Sequence, residues 1–199
     1  MIRLLGAIAG QVSQRQGSKT AVSDDRRDSF LAASRDCSRL VEVYYQTGDS
    51  VSASYVAFYA LQLAEKAGVS AELAESLGPV GMFFSFLQAH GRARRYLQRA
   101  QKTAESANAL YAMTYTLLVN CVYESGMGNW EAARLANERL TQTATKLGSI
   151  RRLHDGYQTK LFMDYSQSKF SETLKTADLL IASASQIKDY RFQGYGLFG

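Results

Sequence analysis

Apolar residues recur at helical spacing along nearly the whole chain. From residue 26, Phe30, Cys37, Leu40, Val41, Tyr44 and Tyr45 follow i, i+3, i+4, i+7 steps, and the run stops at Gly48. Asp49-Ser50 supplies a cap, and Val51 to Ala67 reads as a second helix ending at Gly68. Ser70 caps a third running to about His90, which Gly78-Pro79 is expected to kink or delay. Gly91 punctuates, and Arg92 to Ala107 follows. Asn108 opens a helix ending in Gly126-Met127-Gly128, and Asn129, with Glu131 and Glu138 after it, opens one closing at Leu147-Gly148. Ser149 caps another to about Gln167, Ser168 the next to Ile187, and Asp189 opens a last, incomplete helix. Ahead of these, Leu4, Leu5, Ile8 and Val12 share one face, predicting a short docked helix over 1–16 and a polar linker over 17–28.

The joints recur as well as the helices. Gly48-Asp49, Gly91-Arg92, Gly128-Asn129 and Ser168-Lys169 are 43, 37 and 40 residues apart. A period near 40 with two helices per period predicts an all-α, α–α superhelix in which each pair buries its apolar face by stacking on its neighbours. Eight or more evenly spaced helices do not fit one four-helix bundle. The repeats run over about 30–69, 70–107, 108–148 and 149–188, with a partial fifth over 189–199. Alanines line the second helices: Ala53, Ala57, Ala60 and Ala64 after the first joint, Ala132, Ala133 and Ala136 after the third. Small residues there let paired helices approach closely, while Tyr44, Phe84, Leu117 and Leu161 on the first helices fill the layer between pairs.

Composition narrows the function more than the fold. The 199 residues are 46% hydrophobic and 21% charged, which excludes a disordered chain. One proline argues against a turn-rich β sandwich. Two cysteines, Cys37 and Cys121, form no disulfide framework, and with only His90 and His154 besides they leave no zinc spacing. No apolar run approaches membrane-spanning length, so a cytoplasmic setting without membrane association is expected. No cofactor or metal is expected, and no catalysis. Asp24, Asp25 and Asp28 read as solvated helix-start charges. His154 and Asp155 diverge by about 100° on a helix and cannot act as an acid–base pair by themselves. Cys121, between Val119 and Val122, reads as core.

Net charge is +5, and its densest part is Arg92, Arg95, Arg99 and Lys102, on one helical stripe. Such a stripe either holds phosphates or an acidic partner, or is the solvated outer face of a second repeat helix. Nucleic acid is not expected, because only Tyr96 offers a stacking ring nearby. Arg151-Arg152 is a second, weaker basic spot.

Gly48-Asp49 with Ala53, Ala60-Leu61 and the preceding Tyr44 resembles the tetratricopeptide repeat, and Gly128-Asn129-Trp130-Glu131-Ala132-Ala133 resembles the same joint in another copy. The second copy departs from it: Tyr96 stands where a small residue is expected, and no aromatic follows Gly91. The likeness covers roughly 30–199, in repeats longer than the usual 34 or so. It implies that the first helix of each pair builds a concave wall. Ser38, Glu42, Tyr45 and Gln46 then lie on that wall, with Gln158, Phe162 and Tyr165 their counterparts, and Cys121 and Glu124 chosen in the third pair, where two glycines leave the register open by one. Lys and Asn, which the family uses to clamp a C-terminal carboxylate, are absent from Ser38, Glu42, Gln158 and Phe162. The string from Tyr44 to Asp49, with Ala57 to Gly68 and Ser70 to Ala74, is similar to the helical-repeat region of large bacterial signalling ATPases of the STAND or AAA type. No G-x-x-x-x-G-K-[ST] loop occurs, so such chemistry is not expected in this stretch. The expectation is a non-catalytic module that binds a protein or peptide partner or its own neighbouring domains. A small-molecule sensor and an element self-associating through its exposed ends, as a homo-oligomer, are the alternatives.

Overall fold

The computed structural model describes residues 23–197, and every regular element among them is an α-helix. The predicted helix over 1–16, the linker up to residue 22 and residues 198–199 lie outside the described residues. The chain divides into two compact units, with the boundary between Ala112 and Met113. The first unit holds α1 (Asp24–Gln46), α2 (Ser50–Ala67), α3 (Ala71–Phe86) and α4 (His90–Ser106). Helix α5 (Leu110–Gly126) begins at the boundary, and α6 (Trp130–Lys146), α7 (Ile150–Ser166), α8 (Phe170–Gln186) and α9 (Tyr190–Leu197) follow in the second unit.

A single turn design generates this order. Gly48, Gly68, Gln88, Asn108, Gly128, Gly148, Ser168 and Lys188 have positive φ and stand 20 residues apart. At all but Gly68 the joint closes identically. The N–H of the left-handed residue reaches back three residues, as from Gly128 to the Ser125 carbonyl, and the next N–H reaches back five, as from Asn129 to Glu124, at 2.9 Å. That is the Schellman closure, which satisfies the last carbonyls of one helix and starts the next at once. At Gly68 the N–H goes instead to Ala64 and Glu65, Val69-Ser70 adds one residue, and the Ser70 hydroxyl accepts the Leu73 N–H at 3.1 Å.

Three sequence expectations shift. α1 starts at Asp24, so Asp24, Asp25 and Asp28 are helical rather than linker; Asp24 and Asp25 occupy the first turn, where the helix dipole favours carboxylates. The second-repeat joint lies at Gln88-Ala89, not Gly91-Arg92, because the left-handed residue there is a glutamine that no glycine signal marks. Gly78-Pro79 does not delay the start of α3, which begins at Ala71 after the Ser70 cap and runs through Pro79. Gly78, lacking a Cβ, removes the clash that proline imposes on the residue before it.

Each unit has its own core. In the first, α2 packs between α1 and α3, α4 packs on α3, and α1 also touches α3. Phe58 meets Phe83 and Phe84 edge-on, at 5.1 and 6.1 Å between centroids, and Phe84 stacks on Tyr96 at 5.4 Å. Gly81 makes room for large residues on α4: a Cβ there would stand 2.8 Å from Leu97 Cδ2 and 3.4 Å from Tyr96 Cβ. The buried Ser34 hydroxyl bonds the Ala60 carbonyl (3.1 Å) and Ser76 (3.2 Å), tying three helices through one side chain. In the second unit Cys121, Ala133 and Met163 join α5, α6 and α7, while Leu180, Ala184 and Phe192 join α8 and α9. α9 packs on α8 and touches α7, the same relation that α3 has to α2 and α1. At the approach of a first helix to the preceding second helix, glycine is required twice: a Cβ on Gly156 would lie 2.5 Å from Thr141 Cγ2, and one on Gly196 2.5 Å from Ile181 Cγ1.

Candidate functional site

In the second unit α7 presents the most developed wall. It buries His154, Gly156, Leu161 and Met163 against its neighbours, which leaves Phe162 and Tyr165 exposed and Gln158 half-buried on the remaining stripe. Phe162 is 57% and Tyr165 56% exposed, large apolar areas that this fold does not use. Tyr165 meets the Phe170 ring edge-on at 6.0 Å, which widens the aromatic surface across the joint. Further along α7, Arg152 Nη1 pairs with Asp155 Oδ2 at 3.0 Å and lies over the Tyr115 ring at 5.1 Å, joining α5 to α7. Burial pushes the Asp155 carboxyl up from its ordinary value, while Arg152 draws it down.

In the first unit the corresponding stripe of α1 carries Glu42, Tyr45 and Gln46, all exposed, with Ser38 half-buried. Tyr45 is 74% exposed, and Gln46 Nε2 lies 3.4 Å from Glu42 Oε1. The choices in the third pair change. Cys121 is fully buried, with its Sγ 3.9 Å from Met163 Sδ, and burial raises its thiol pKa. The left-handed residue is Gly128, which moves the register by one, so the exposed residue is Val122, 40 positions before Phe162. Glu124 is half-buried and accepts from Asn129 Nδ2 at 2.7 Å, bracing the joint. Sequence reasoning overlooked Val122, Tyr115 and the Arg152–Asp155 pair. Counting the wall six residues back from Gly128, as from Gly48 to Glu42 and from Ser168 to Phe162, finds Val122, because the wall positions repeat every 40 residues.

The basic stripe divides. Arg92 turns to the Phe84 ring, 5.6 Å from its centroid, and Arg99 pairs with Glu65 at 2.6 Å. Arg95 and Lys102 make no ion pair among the described residues. With Gln98, Arg99, Ser106 and Val69 they line an open groove of about 280 Å³ beside the turn between α2 and α3.

The chemistry of the remaining reactive groups is restrained. His154 Nε2 lies 2.8 Å from Ser183 Oγ, but the ring is fully buried between α7, α8 and Phe192, and Asp155 turns to Arg152 instead. Among the described residues no three His, Cys, Asp or Glu side chains gather as a metal site, and no helix is long and apolar enough to cross a membrane. The chain is thus an all-α helical-repeat protein with exposed aromatic residues on α1 and α7. It matches no protein-family model, and no curated protein matches it.

Proposed function

We propose that the chain is a non-catalytic, tetratricopeptide-like module that binds a protein or peptide partner along the walls of its first helices, and that it serves as the regulatory part of a bacterial signalling protein. The observation that carries this reading is the exposure of Tyr45 on α1 in the first unit and of Phe162 and Tyr165 on α7 in the second. Aromatic rings supply large contact area at low entropic cost, and exposed clusters of them suit recognition. The Gly48-Asp49 and Gly128-Asn129-Trp130 joints support the tetratricopeptide likeness, and the Tyr44–Asp49 and Ala57–Gly68 strings support the signalling setting. Repeats rest only on their neighbours, so an occupant that changes the angle between pairs has a route to an attached domain.

The test compares partners captured from a bacterial extract by the immobilised chain and by the Tyr45→Ala/Phe162→Ala variant. Both side chains are exposed, so the variant keeps its helical circular dichroism. Loss of a captured partner supports the walls as the binding surface; retention of every partner ends that assignment.

A further inference from the structure

We propose that the face of α4 beside the α2–α3 turn is a second binding surface, and that its occupant is an acidic polypeptide segment. Arg95, Arg99 and Lys102 project into one groove, and Arg95 and Lys102 make no ion pair among the described residues. Among the described residues the carboxylate that pairs with this face is Glu65 of α2, seated 2.6 Å from Arg99 Nη1. That contact shows the geometry accepting a carboxylate, with two further cations left over beside it. Gln98 and Ser106 add neutral polar groups along the same line. From Arg95 to Ser106 the helix rises about 16 Å, longer than one phosphate and well matched to a short run of acidic side chains. No aromatic side chain lines the groove; Tyr96 is stacked on Phe84. Single-stranded nucleic acid lacks the stacking platform it requires, so acidic polypeptide is the better match. The surface lies on a second helix of a pair and does not depend on the aromatic walls of the first helices.

The experiment titrates the full 199-residue chain against a fluorescein-labelled oligoglutamate of about eight residues, read by fluorescence anisotropy at about 50 mM salt. Arg95→Glu/Lys102→Glu is expected to weaken binding by about tenfold or more. Arg139→Glu/Lys146→Glu on α6 makes the same charge change and is expected to leave affinity within about twofold. Glu65→Gln removes the internal carboxylate and is expected to tighten binding a few fold. All variants are first checked for parental helicity. Absence of binding by the parent, equal losses in both charge-reversed pairs, weaker binding by Glu65→Gln, or equal or tighter binding of an oligothymidylate of the same charge would each overturn the proposal. The Tyr45→Ala/Phe162→Ala variant retains oligoglutamate binding, so failure of the aromatic walls and failure of this groove are told apart.

Discussion

The eight joint residues form a graded series in which backbone strain alone sets the sign of a substitution. At Gly48, Gly128 and Gly148 a Cβ would meet nothing within 4 Å, so packing drops out of the comparison. Holding alanine in the left-handed helical region costs about 1–2 kcal/mol. Losing glycine's freedom in the unfolded chain offsets about 0.4–1 kcal/mol of that. Gly128→Ala is therefore expected to destabilise by about 1 kcal/mol. Gly68 has φ 85° and ψ −162°, a region open essentially to glycine alone, and Gly68→Ala is expected to cost about 2–3 kcal/mol. Ser168 and Lys188 sit at φ 59° and 56°, and the same arithmetic reversed predicts that Ser168→Gly and Lys188→Gly each stabilise by about 0.5–1 kcal/mol. The assay is urea unfolding followed by far-UV circular dichroism, comparing variants of one unit at a time so that the two units do not blur one transition. At a slope of about 1–3 kcal/mol per molar urea, these changes move midpoints by about 0.2 M at the small end to about 3 M for Gly68→Ala. Earlier unfolding of both Ser168→Gly and Lys188→Gly would refute the reasoning, as would Gly68→Ala proving no worse than Gly128→Ala.

Three further outcomes test the second unit. Burial holds the His154 pKa below its ordinary value against the pull of Asp189 and Asp155. The unfolded chain therefore takes up that proton first, and stability is lost as pH falls below about 6.5. Asp155, raised by burial, acts in the opposite direction between its folded value and its ordinary 3.8. Urea midpoints should thus fall between about pH 7.5 and 5.5, and His154→Gln should flatten that slope. Asn137→Ala removes Nδ2 contacts to the Gly156 carbonyl (2.8 Å) and Thr159 Oγ1 (2.7 Å) that tie α6 to α7, and is expected to cost about 1–3 kcal/mol by urea unfolding. Phe192→Ala empties a fully buried site against His154 and Leu180, and is expected to cost about 3–5 kcal/mol. Its α9 amides should exchange with deuterium faster than those of α7, read by mass spectrometry.

The fold was legible wherever the repeat used residues whose conformational preference is strong. Gly48, Gly68, Gly128 and Gly148 announce joints because a left-handed backbone strains every other residue, and Asn108 is among the more tolerant. Gln88 carries no such signal. Three residues later stands Gly91, an ordinary helical glycine with open space at its Cβ, which draws the predicted joint to the wrong position. That slip makes Tyr96 look misplaced. Counted from Gln88, His90 occupies the first helical position held by Trp130 and Phe170, and Ala93 aligns with Ala133. Tyr96 is then accommodated by a glycine on the facing helix, a compensation between residues 81 and 96 that spacing on either helix alone does not express.

The exposed walls were legible to the same degree as the joints, because a wall position is only an offset from a joint. Gln158, Phe162 and Tyr165 were placed from Ser168, whose φ is indeed positive, and Phe162 and Tyr165 emerge exposed. The third pair offered two glycines two residues apart. A choice one position off exchanges the exposed Val122 for the fully buried Cys121, since adjacent helical residues point about 100° apart. The Arg152–Asp155–Tyr115 contact was out of reach for another reason: it spans two helices, and its partners are set by how α7 packs on α5. Periodicity along one chain gives which face a residue occupies. It does not give which residue from the next helix completes that face, and in a stack of repeats that second term decides whether an arginine is a solvated charge or a fixed part of a wall.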